Sequence, residues 1–362
     1  MVTLGVEEEY LLLDADSGLP VARSAQVRAA ADLLPAVDDG EVEPELLQAQ
    51  VEVGTPVCET LGEVGEHLTR LRAAVRGAAR GAGCRLAACG TPPLRALVPV
   101  PVTANPRYRS MSYDAPQLVD EQLINGMHVH VAIPDRDSGV AALNRLRPWL
   151  PVLLAMGANS PLWEGGDTGF GSWRTLVFGR WPVSGPPPSF AGAADYWRRT
   201  QALLDAGTIR DRGQLYWQAR LSERYPTIEV RVLDVQLEIQ DAVTLAGVVR
   251  ALVTTVPRDD DSVRRCGPAD PELVAAAVWY AARYGLSDRL VHPLTGRAVP
   301  AEEAVASLVD HLAPALEASG DLIRVEAGIK RLQSVGTGAC RQLRAFRGGG
   351  IEAVLDLITV PT

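Results

Sequence analysis

The sequence predicts an α+β fold in which helices cover one side of an antiparallel sheet. Four segments in the first two thirds of the chain alternate apolar and polar residues, which is typical of strands with one buried face. Helical spacing dominates the last third, and a chain that places its strands first favours segregated helices over βαβ units. There is no internal repeat or low-complexity tract. The length suggests about two domains, but a large sheet can include the whole chain, and we expect one domain spanning residues 1–362.

Each of the four alternating segments combines an apolar side with a side rich in chemically reactive residues. In chain order, these polar sides carry Glu7 and Glu9; Gln48, Gln50 and Glu52; His128 and His130; and Glu229 and Arg231. Any one of them alone is typical of a sheet with a solvated face. Together they favour a functional site, because solvated faces rarely combine carboxylates, histidines and arginine in this way.

The remaining elements follow from periodicity, caps and breakers. Helices are predicted at 24–34 with Ser24 as N-cap, and at 60–82, 140–158, 196–204, 241–256, 272–284, 302–316, 321–332, 339–346 and 351–357. A short strand is predicted at 85–89, and a charged loop at 259–261. The segments 99–122 and 159–190 read as long loops, the first with one short helix. Loops of this length in a compact protein are usually functional or disordered, and the tryptophans in the second argue against disorder.

Composition excludes several classes of protein. The 362 residues are 47% hydrophobic and carry a net charge of -9, with no basic stripe, so nucleic acid and anionic membrane are poor partners. The longest apolar stretch, 149–162, is too short to span a bilayer, and no charged-then-apolar leader precedes the first strand. We therefore expect a cytoplasmic protein. Five cysteines without a CxxC pair argue against a disulfide framework or a thiolate zinc site.

The polar sides of the predicted strands suit a cation and phosphate site. Converging carboxylates repel each other unless cations lie among them, and oxygen-rich ligation favours Mg²⁺ or Mn²⁺ over zinc. His130 and Arg231 suit phosphate oxygens, and Arg174 and Arg220 offer planar forks for a carboxylate or a γ-phosphate. Each arginine alone is also compatible with an ordinary surface role. No Walker A or Rossmann glycine pattern occurs, so a nucleotide would be bound by the sheet and metal.

Motifs along nearly the whole chain resemble the type 2 glutamate–cysteine ligase family of carboxylate–amine ligases. They are GVEEE at 5–9, QVEVGTPVC at 50–58, HVHV at 128–131, NSPLWEGGDTG at 159–169, SWR at 172–174, WPVSGPP at 181–187, TIEVRVLD at 227–234, RYGL at 283–286 and GACRQ at 338–342. The resemblance implies a glutamine synthetase-like fold: a curved, mostly antiparallel β-sheet funnel with helices packed on the outside.

The resemblance also implies an activity and residue roles. ATP would phosphorylate a carboxylate, typically the γ-carboxylate of L-glutamate, and an amino acid amine would displace the phosphate to give a γ-glutamyl dipeptide. The implied Mg²⁺ ligands are Glu7, Glu9, Glu52, His128 and Glu229. His130 would contact the ATP phosphates and Arg231 the transferring phosphoryl group. Arg174 and Arg220 would hold the carboxylate substrate or the acyl phosphate. The exposed helical layer is compatible with a homodimer.

The chain departs from the family pattern at a few loop positions. Pro92 stands where the family often has histidine, Leu221 where proline is common, Gln218 where aspartate is common, and Ala132 where glycine is usual. These changes leave the identity of the amine open. Two alternatives also stay open: a relative that binds nucleotide without turnover, and a metal-dependent hydrolase that uses the histidine pair on zinc.

Overall fold

A seven-stranded antiparallel sheet lies at the centre of the protein, whose computed structural model describes residues 2–95, 98–255 and 270–361. The strands are β1 (Leu4–Asp14), β2 (Val42–Pro44), β3 (Gln50–Gly54), β4 (Cys84–Ala87), β5 (Gly126–Ala132), β6 (Leu162–Trp163), β7 (Gly166–Asp167), β8 (Ala219–Leu221), β9 (Thr227–Asp234), β10 (Arg289–Val291) and β11 (Ala298–Pro300). The central sheet has the order β2-β3-β1-β5-β9-β8, and β4 pairs with the end of β1. Strands β6 with β7, and β10 with β11, form two small hairpins.

Thirteen α-helices surround this sheet in the described part of the chain. They are α1 (Ser24–Ala31), α2 (Leu61–Gly81), α3 (Pro106–Asp114), α4 (Pro116–Asp120), α5 (Arg136–Leu146), α6 (Leu150–Met156), α7 (Trp173–Phe178), α8 (Ala193–Asp205), α9 (Ile239–Thr254), α10 (Pro271–Tyr284), α11 (Ala301–Ser319), α12 (Leu322–Val335) and α13 (Gly338–Ile358). None of the helices in these ranges has the length and apolar character that crossing a membrane requires.

Strand register brings the four alternating segments side by side. β1 lies between β3 and β5, so that Glu9 faces Glu52 on one side and Glu7 faces His128 on the other. β9 pairs with β5 and places Glu229 opposite His130. Because side chains alternate along a strand, these residues share one face of the sheet, which we call the front face.

The back face of the sheet is the main hydrophobic core. Val129, Val131 and Val230 are almost fully buried there, together with apolar residues of α2, α5, α6 and α9. Burying each such side chain contributes about 1.5–3 kcal/mol. The predicted helix at 60–82 is confirmed as α2, whose Thr60 and Glu63 form a reciprocal capping box.

Helices cover part of the front face of the sheet as well as its back face, whereas the sequence predicts cover on one side only. Leu11 and Leu13 lie on the same side of β1 as Glu7 and Glu9, yet they are buried against Leu355 of α13. The apolar residues that follow Glu7 and Glu9 on this side of β1 are therefore covered by α13. The front face is open only around the predicted site residues.

Several expectations about individual elements are wrong in detail. Ser24 is already inside α1, and its predecessor Arg23 is the N-cap residue, without a side-chain cap bond. Gln48 precedes β3 and donates to the Val102 carbonyl instead of joining the front face. The helices predicted at 339–346 and 351–357 form one run, α13, with a kink at Gly349 and Gly350.

Other differences concern segments without clear periodicity. The predicted loops at 99–122 and 159–190 contain α3 and α4, and β6, β7 and α7. Sequence reasoning did not predict β8 or the β10–β11 hairpin, because strands of three residues are too short to show alternation. The loop predicted at 259–261, the predicted helix end at Val256 and Cys266 lie outside the described residues. The single domain spanning 1–362 stays a prediction.

A buried ion pair ties β1 to α2 behind the sheet. Glu8 points into the back face, where it accepts hydrogen bonds from the Arg72 guanidinium at 3.0 and 2.5 Å and from the Tyr10 hydroxyl. Arg72 also donates to the backbone carbonyls of Gln236 and Leu237 just after β9. This network links the central strand of the site to the helical layer.

We expect Glu8→Gln to lower the free energy of unfolding by about 3 kcal/mol, because it leaves the buried Arg72 charge uncompensated. Urea denaturation measures the change. The matched control is Glu326→Gln, which removes the partner of Lys330 in an exposed pair and should change stability by less than about 1 kcal/mol. Equal effects of the two substitutions would contradict a structural role for the buried pair.

Candidate active site

The front face of the sheet forms the floor of a cavity of about 390 Å³. All of the sequence-predicted site residues line it, namely Glu7, Glu9, Glu52, His128, His130, Arg174, Arg220, Glu229 and Arg231. Strand alternation alone accounts for the six on β1, β5 and β9. Residues from α3, α7 and β8 supply the walls.

Five carboxylates and one histidine of the site form two groups of possible metal ligands. The first contains Glu7, His128 and Glu229, whose donor atoms lie within 4.8 Å of one another. His128 Nδ1 is 3.1 Å from Glu7 Oε2, and His130 Nε2 is 3.3 Å from Glu7 Oε1. Burial opposes ionisation of Glu7, but hydrogen bonds to the two histidines outweigh it and hold the pKa of Glu7 well below its usual range. Glu7 is therefore an ionised carboxylate, whose oxygens can act as metal ligands.

The second group contains Glu9, Glu45 and Glu52, again with donor atoms within 4.8 Å. Its carboxylates have no arginine among their hydrogen-bond partners in the described residues. Burial, reinforced by the charge of Glu9, raises the pKa of Glu45 to about 7, and burial with neighbouring carboxylates raises that of Glu52 well above its usual range. The charges of Arg231 and Arg107 oppose this rise at Glu45 without cancelling it. Three neighbouring acidic groups whose repulsion is only partly compensated could hold a divalent ion.

Glu45 is the site residue that sequence reasoning missed. It follows β2 directly, after Pro44, and therefore falls outside the recognised strands. Acidic residues at 41, 43 and 45 repeat every second position, and this spacing was the available signal.

Two arginines hold Glu229 in place. Arg220 on β8 donates from Nε to Glu229 Oε2 at 2.8 Å and from Nη2 to Oε1 at 3.1 Å, and Arg231 also donates to Oε1. Burial opposes the charge of Glu229, but both arginines outweigh it and hold its pKa well below the usual range. Glu229 Oε2 receives one hydrogen bond and keeps a lone pair for a cation. The Nη1 group of Arg220 donates to the carbonyls of Gly213 and Leu215.

Arg174 reaches the cavity from the short helix α7. Its guanidinium donates to the Arg231 carbonyl at 3.3 Å and lies against Gly126, where an added Cβ would be 2.2 Å from Nη2. The Arg174 Nε is buried without a hydrogen-bond partner in the described chain. Gly126 is thus required for close approach, and its backbone N–H donates to Glu9 Oε2 at 2.6 Å.

A buried aspartate orders the loop that carries Arg174. Asp234, at the end of β9, accepts hydrogen bonds from the Ser160 and Ser172 hydroxyls at 2.7 and 3.0 Å and from the Asn159 N–H at 2.8 Å. Its carboxylate lies 3.9 Å from the Arg174 Nη1. These contacts explain physically why the 159–174 segment is ordered despite its lack of periodicity.

The acidic group around Glu45 makes the stability of the metal-free protein depend on pH. A folded-state pKa raised from 4.5 to about 7 means that the folded chain binds more protons than the unfolded chain, so stability falls as pH rises through this window. Glu45→Gln removes this cost. We expect the variant to gain on the order of 1 kcal/mol at pH 8 and little at pH 4.5, measured by urea denaturation in EDTA. An unchanged pH dependence would contradict the raised pKa.

Comparison with known proteins identifies the family. The model of the glutamate–cysteine ligase family 2 matches residues 3–356. A provisionally named glutamate–cysteine ligase 2-1 of Saccharopolyspora erythraea is 43% identical over 99% of this chain and 95% of its own. A provisionally named glutamate–cysteine ligase 2-2 of a Mycobacterium species, strain KMS, is 44% identical over 99% of this chain and 98% of its own.

The structural comparison agrees. The crystal structure of the Francisella tularensis glutamate–cysteine ligase in complex with AMP matches 99% of this chain and 87% of its own, with a TM-score of 0.73 at 12% identity. This likeness confirms the predicted α+β, glutamine synthetase-like fold with its antiparallel sheet. Together with the family match, it leads to one assignment: the chain belongs to glutamate–cysteine ligase family 2 and is an ATP-dependent ligase of that type.

Proposed function

We propose that the protein phosphorylates the γ-carboxylate of L-glutamate with ATP and joins the resulting acyl phosphate to the amine of an amino acid, giving a γ-glutamyl dipeptide. The observation that carries the proposal is the meeting of two acidic groups with Arg231, Arg174 and His130 around one cavity in a chain from this family. Such a surface suits both the metal-bound phosphates and the carboxylate that attacks them.

The proposed reaction consists of two displacement steps. A γ-carboxylate oxygen of glutamate attacks the γ-phosphorus of ATP, the bond to the β–γ bridging oxygen breaks, and ADP leaves with the electron pair. The amine nitrogen then attacks the acyl carbon, the carbon–oxygen bond to the phosphate breaks, and the nitrogen loses one proton as phosphate leaves. Both steps build negative charge on phosphoryl oxygens, so fixed cations around them lower the barrier.

Mg²⁺, or Mn²⁺ in its place, fits the two acidic groups. Glu7, His128 and Glu229 would hold one ion, and Glu9, Glu52 and the newly found Glu45 a second. The buried His128 Nε2 has no hydrogen bond among the described residues and lies 3.6 Å from Glu9 Oε1, which supports a ligand role. When bound, the ions would neutralise phosphate charge. The oxygen-rich donor set disfavours the zinc hydrolase alternative.

The cationic side chains have separate roles in the proposal. His130, whose pKa is raised by Glu7 against the effect of burial, would contact the ATP phosphates. Arg231 would face the transferring phosphoryl group, and Arg174, with its buried free Nε, would hold a substrate carboxylate. Arg220 commits four of its five N–H groups to Glu229 and to the carbonyls of Gly213 and Leu215. Its contact with the carboxylate substrate or the acyl phosphate would use the remaining Nη2 N–H.

ADP release tests the proposal. Purified protein is incubated with ATP and Mg²⁺, with and without L-glutamate, and with a panel of amino acids. We expect ADP release that requires glutamate and increases with a second amino acid. ATP binding without glutamate-dependent turnover would favour a non-catalytic relative, and stoichiometric zinc with hydrolysis would favour a hydrolase. The cytoplasmic location and the homodimer stay predictions.

We expect Glu7→Gln to reduce glutamate-dependent ADP release by about 100-fold or more, because an ionised ligand is replaced by a weak neutral one at constant volume. The loss should be partly offset by raising the Mg²⁺ concentration. Glu66→Gln, on the exposed side of α2, is the matched control and should retain the wild-type rate. A wild-type rate for Glu7→Gln would refute the metal assignment.

Gly126→Ala should displace the Arg174 guanidinium, because the new methyl would occupy its position. The guanidinium is the mobile end of its side chain, so the variant should fold, while kcat/KM for glutamate falls about 100-fold. Steady-state kinetics measures this. The control is Gly77→Ala on α2, where an added Cβ meets no atom within 4 Å. Wild-type kinetics for Gly126→Ala would show that Arg174 does not act from this position.

A further inference from the structure

We infer that the amine substrate is an amino acid with a large apolar side chain, which packs against an aromatic wall at one end of the cavity. This inference rests on the proposed function and names the substrate class of the same site. We define the aromatic wall by the six cavity-lining residues Leu46, Met111, Ile124, Phe178, Trp181 and Tyr216.

The aromatic wall is a continuous surface. The Tyr216 ring meets Phe178 and Trp181 edge-on, with ring centroids 5.4 and 5.7 Å apart, and its hydroxyl lies 3.9 Å from the Met111 sulfur. The single indole N–H of Trp181 is satisfied by Gln122 Oε1 at 2.7 Å. Trp181 therefore presents only hydrocarbon to the cavity.

Strand register places the aromatic wall far from the proposed phosphate site. His130 lies opposite Gly5 at the start of β1, whereas Gln50 lies opposite Leu11 further along the strand. Six residues of strand span about 20 Å. The aromatic wall belongs to the Leu11 end, since Leu46, Met111, Trp181 and Tyr216 share a core cluster with Leu11.

A different aromatic residue lies at the His130 end of the cavity. Tyr225 packs edge-on against His130, and the Arg224 guanidinium lies over the Tyr225 ring. An ATP molecule with its phosphates at His130 would therefore have its own aromatic neighbour.

Glutamate has no apolar side chain that could pack against the aromatic wall. Its side chain must deliver the reacting carboxylate to the cations, and its other groups are an ammonium and a second carboxylate. The acceptor is the substrate with a free side chain. An apolar wall binds a side chain more tightly the more apolar surface that side chain buries against it. The aromatic wall therefore suits leucine, methionine or phenylalanine better than glycine or serine.

Polar anchors beside the aromatic wall complete an amino acid site. Gln50 is 1% exposed, and its Nε2 donates to the Ile124 carbonyl and to Asn125 Oδ1 at 2.7 and 3.0 Å. Asn125 Nδ2 in turn donates to the Cys89 carbonyl, which fixes the orientation of both amides. The buried Gln50 Oε1 is left without a partner in the described chain and suits a substrate N–H. The Arg174 guanidinium, the proposed contact of the glutamate carboxylate, lies 5.6 Å from the Phe178 ring centroid, so the aromatic wall begins beside the proposed glutamate site.

Two assays separate this inference from the proposed function. Hydroxylamine, which needs no side-chain pocket, should trap the acyl phosphate as γ-glutamyl hydroxamate. A panel of amino acids then measures kcat/KM for dipeptide formation. We expect leucine, methionine or phenylalanine to exceed glycine and serine by about 10-fold or more. Hydroxamate with equal or greater activity toward glycine, serine or cysteine would overturn the inference alone. Absence of glutamate-dependent hydroxamate and of dipeptide would overturn both.

A pair of matched variants tests the aromatic wall itself. Phe178→Ala should lower the ratio of kcat/KM for leucine over glycine by about 10-fold, and the ratio corrects for any general loss of activity. Phe170→Ala is the control, because Phe170 is half-buried like Phe178 but packs against Trp173 and Trp279 and does not line the cavity. An unchanged ratio in Phe178→Ala, or an equal fall in Phe170→Ala, would contradict the inference. Circular dichroism confirms that both variants fold.

Discussion

Repulsion among five carboxylates on one sheet face is the constraint on which the site depends. Glu7, Glu9, Glu45, Glu52 and Glu229 share a cavity of about 390 Å³, and such a cluster persists only where opposite charges oppose its self-repulsion. The protein supplies these charges unequally: histidines and arginines surround Glu7 and Glu229, whereas Glu45 and Glu52 keep raised pKa values. A divalent ion bound between these carboxylates, as proposed, would relieve this imbalance.

The same constraint explains the surrounding architecture. Fixed cations require rigid supports, and Arg231 and Arg220 obtain theirs from neighbouring strands, where Glu229 lies opposite Arg220 in the β8–β9 pair. Arg174 comes from a segment without periodicity, so it depends on Asp234 and on the absence of a side chain at Gly126. The buried Glu8–Arg72 pair then joins the central strand to α2 behind the site. The contact of His130 with the ATP phosphates and the recognition of the acceptor side chain are proposed at opposite ends of the cavity, and the amine would meet the acyl phosphate between them.

Sequence reasoning predicted the front face well, because alternation alone determines which side chains of a strand lie together. Glu7, Glu9, His128, His130, Glu229 and Arg231 were assigned in this way. Alternation says nothing about register, and the division into two acidic groups follows from Glu9 facing Glu52 and Glu7 facing His128. Glu45 was missed because Pro44 ends its strand. Half of the aromatic wall, namely Met111, Phe178 and Trp181, comes from segments 99–122 and 159–190, where tertiary contacts determine the path of the chain and no periodicity indicates it.

Transfer of an oxygen isotope tests the central claim most directly. L-Glutamate labelled with ¹⁸O in its γ-carboxylate is incubated with the enzyme, ATP, Mg²⁺ and an acceptor amino acid, and the released phosphate is analysed by mass spectrometry. Formation and displacement of a γ-glutamyl phosphate predicts one ¹⁸O atom in each phosphate, because the oxygen that attacks phosphorus leaves with it. Release of unlabelled phosphate alongside dipeptide or ADP would contradict the account.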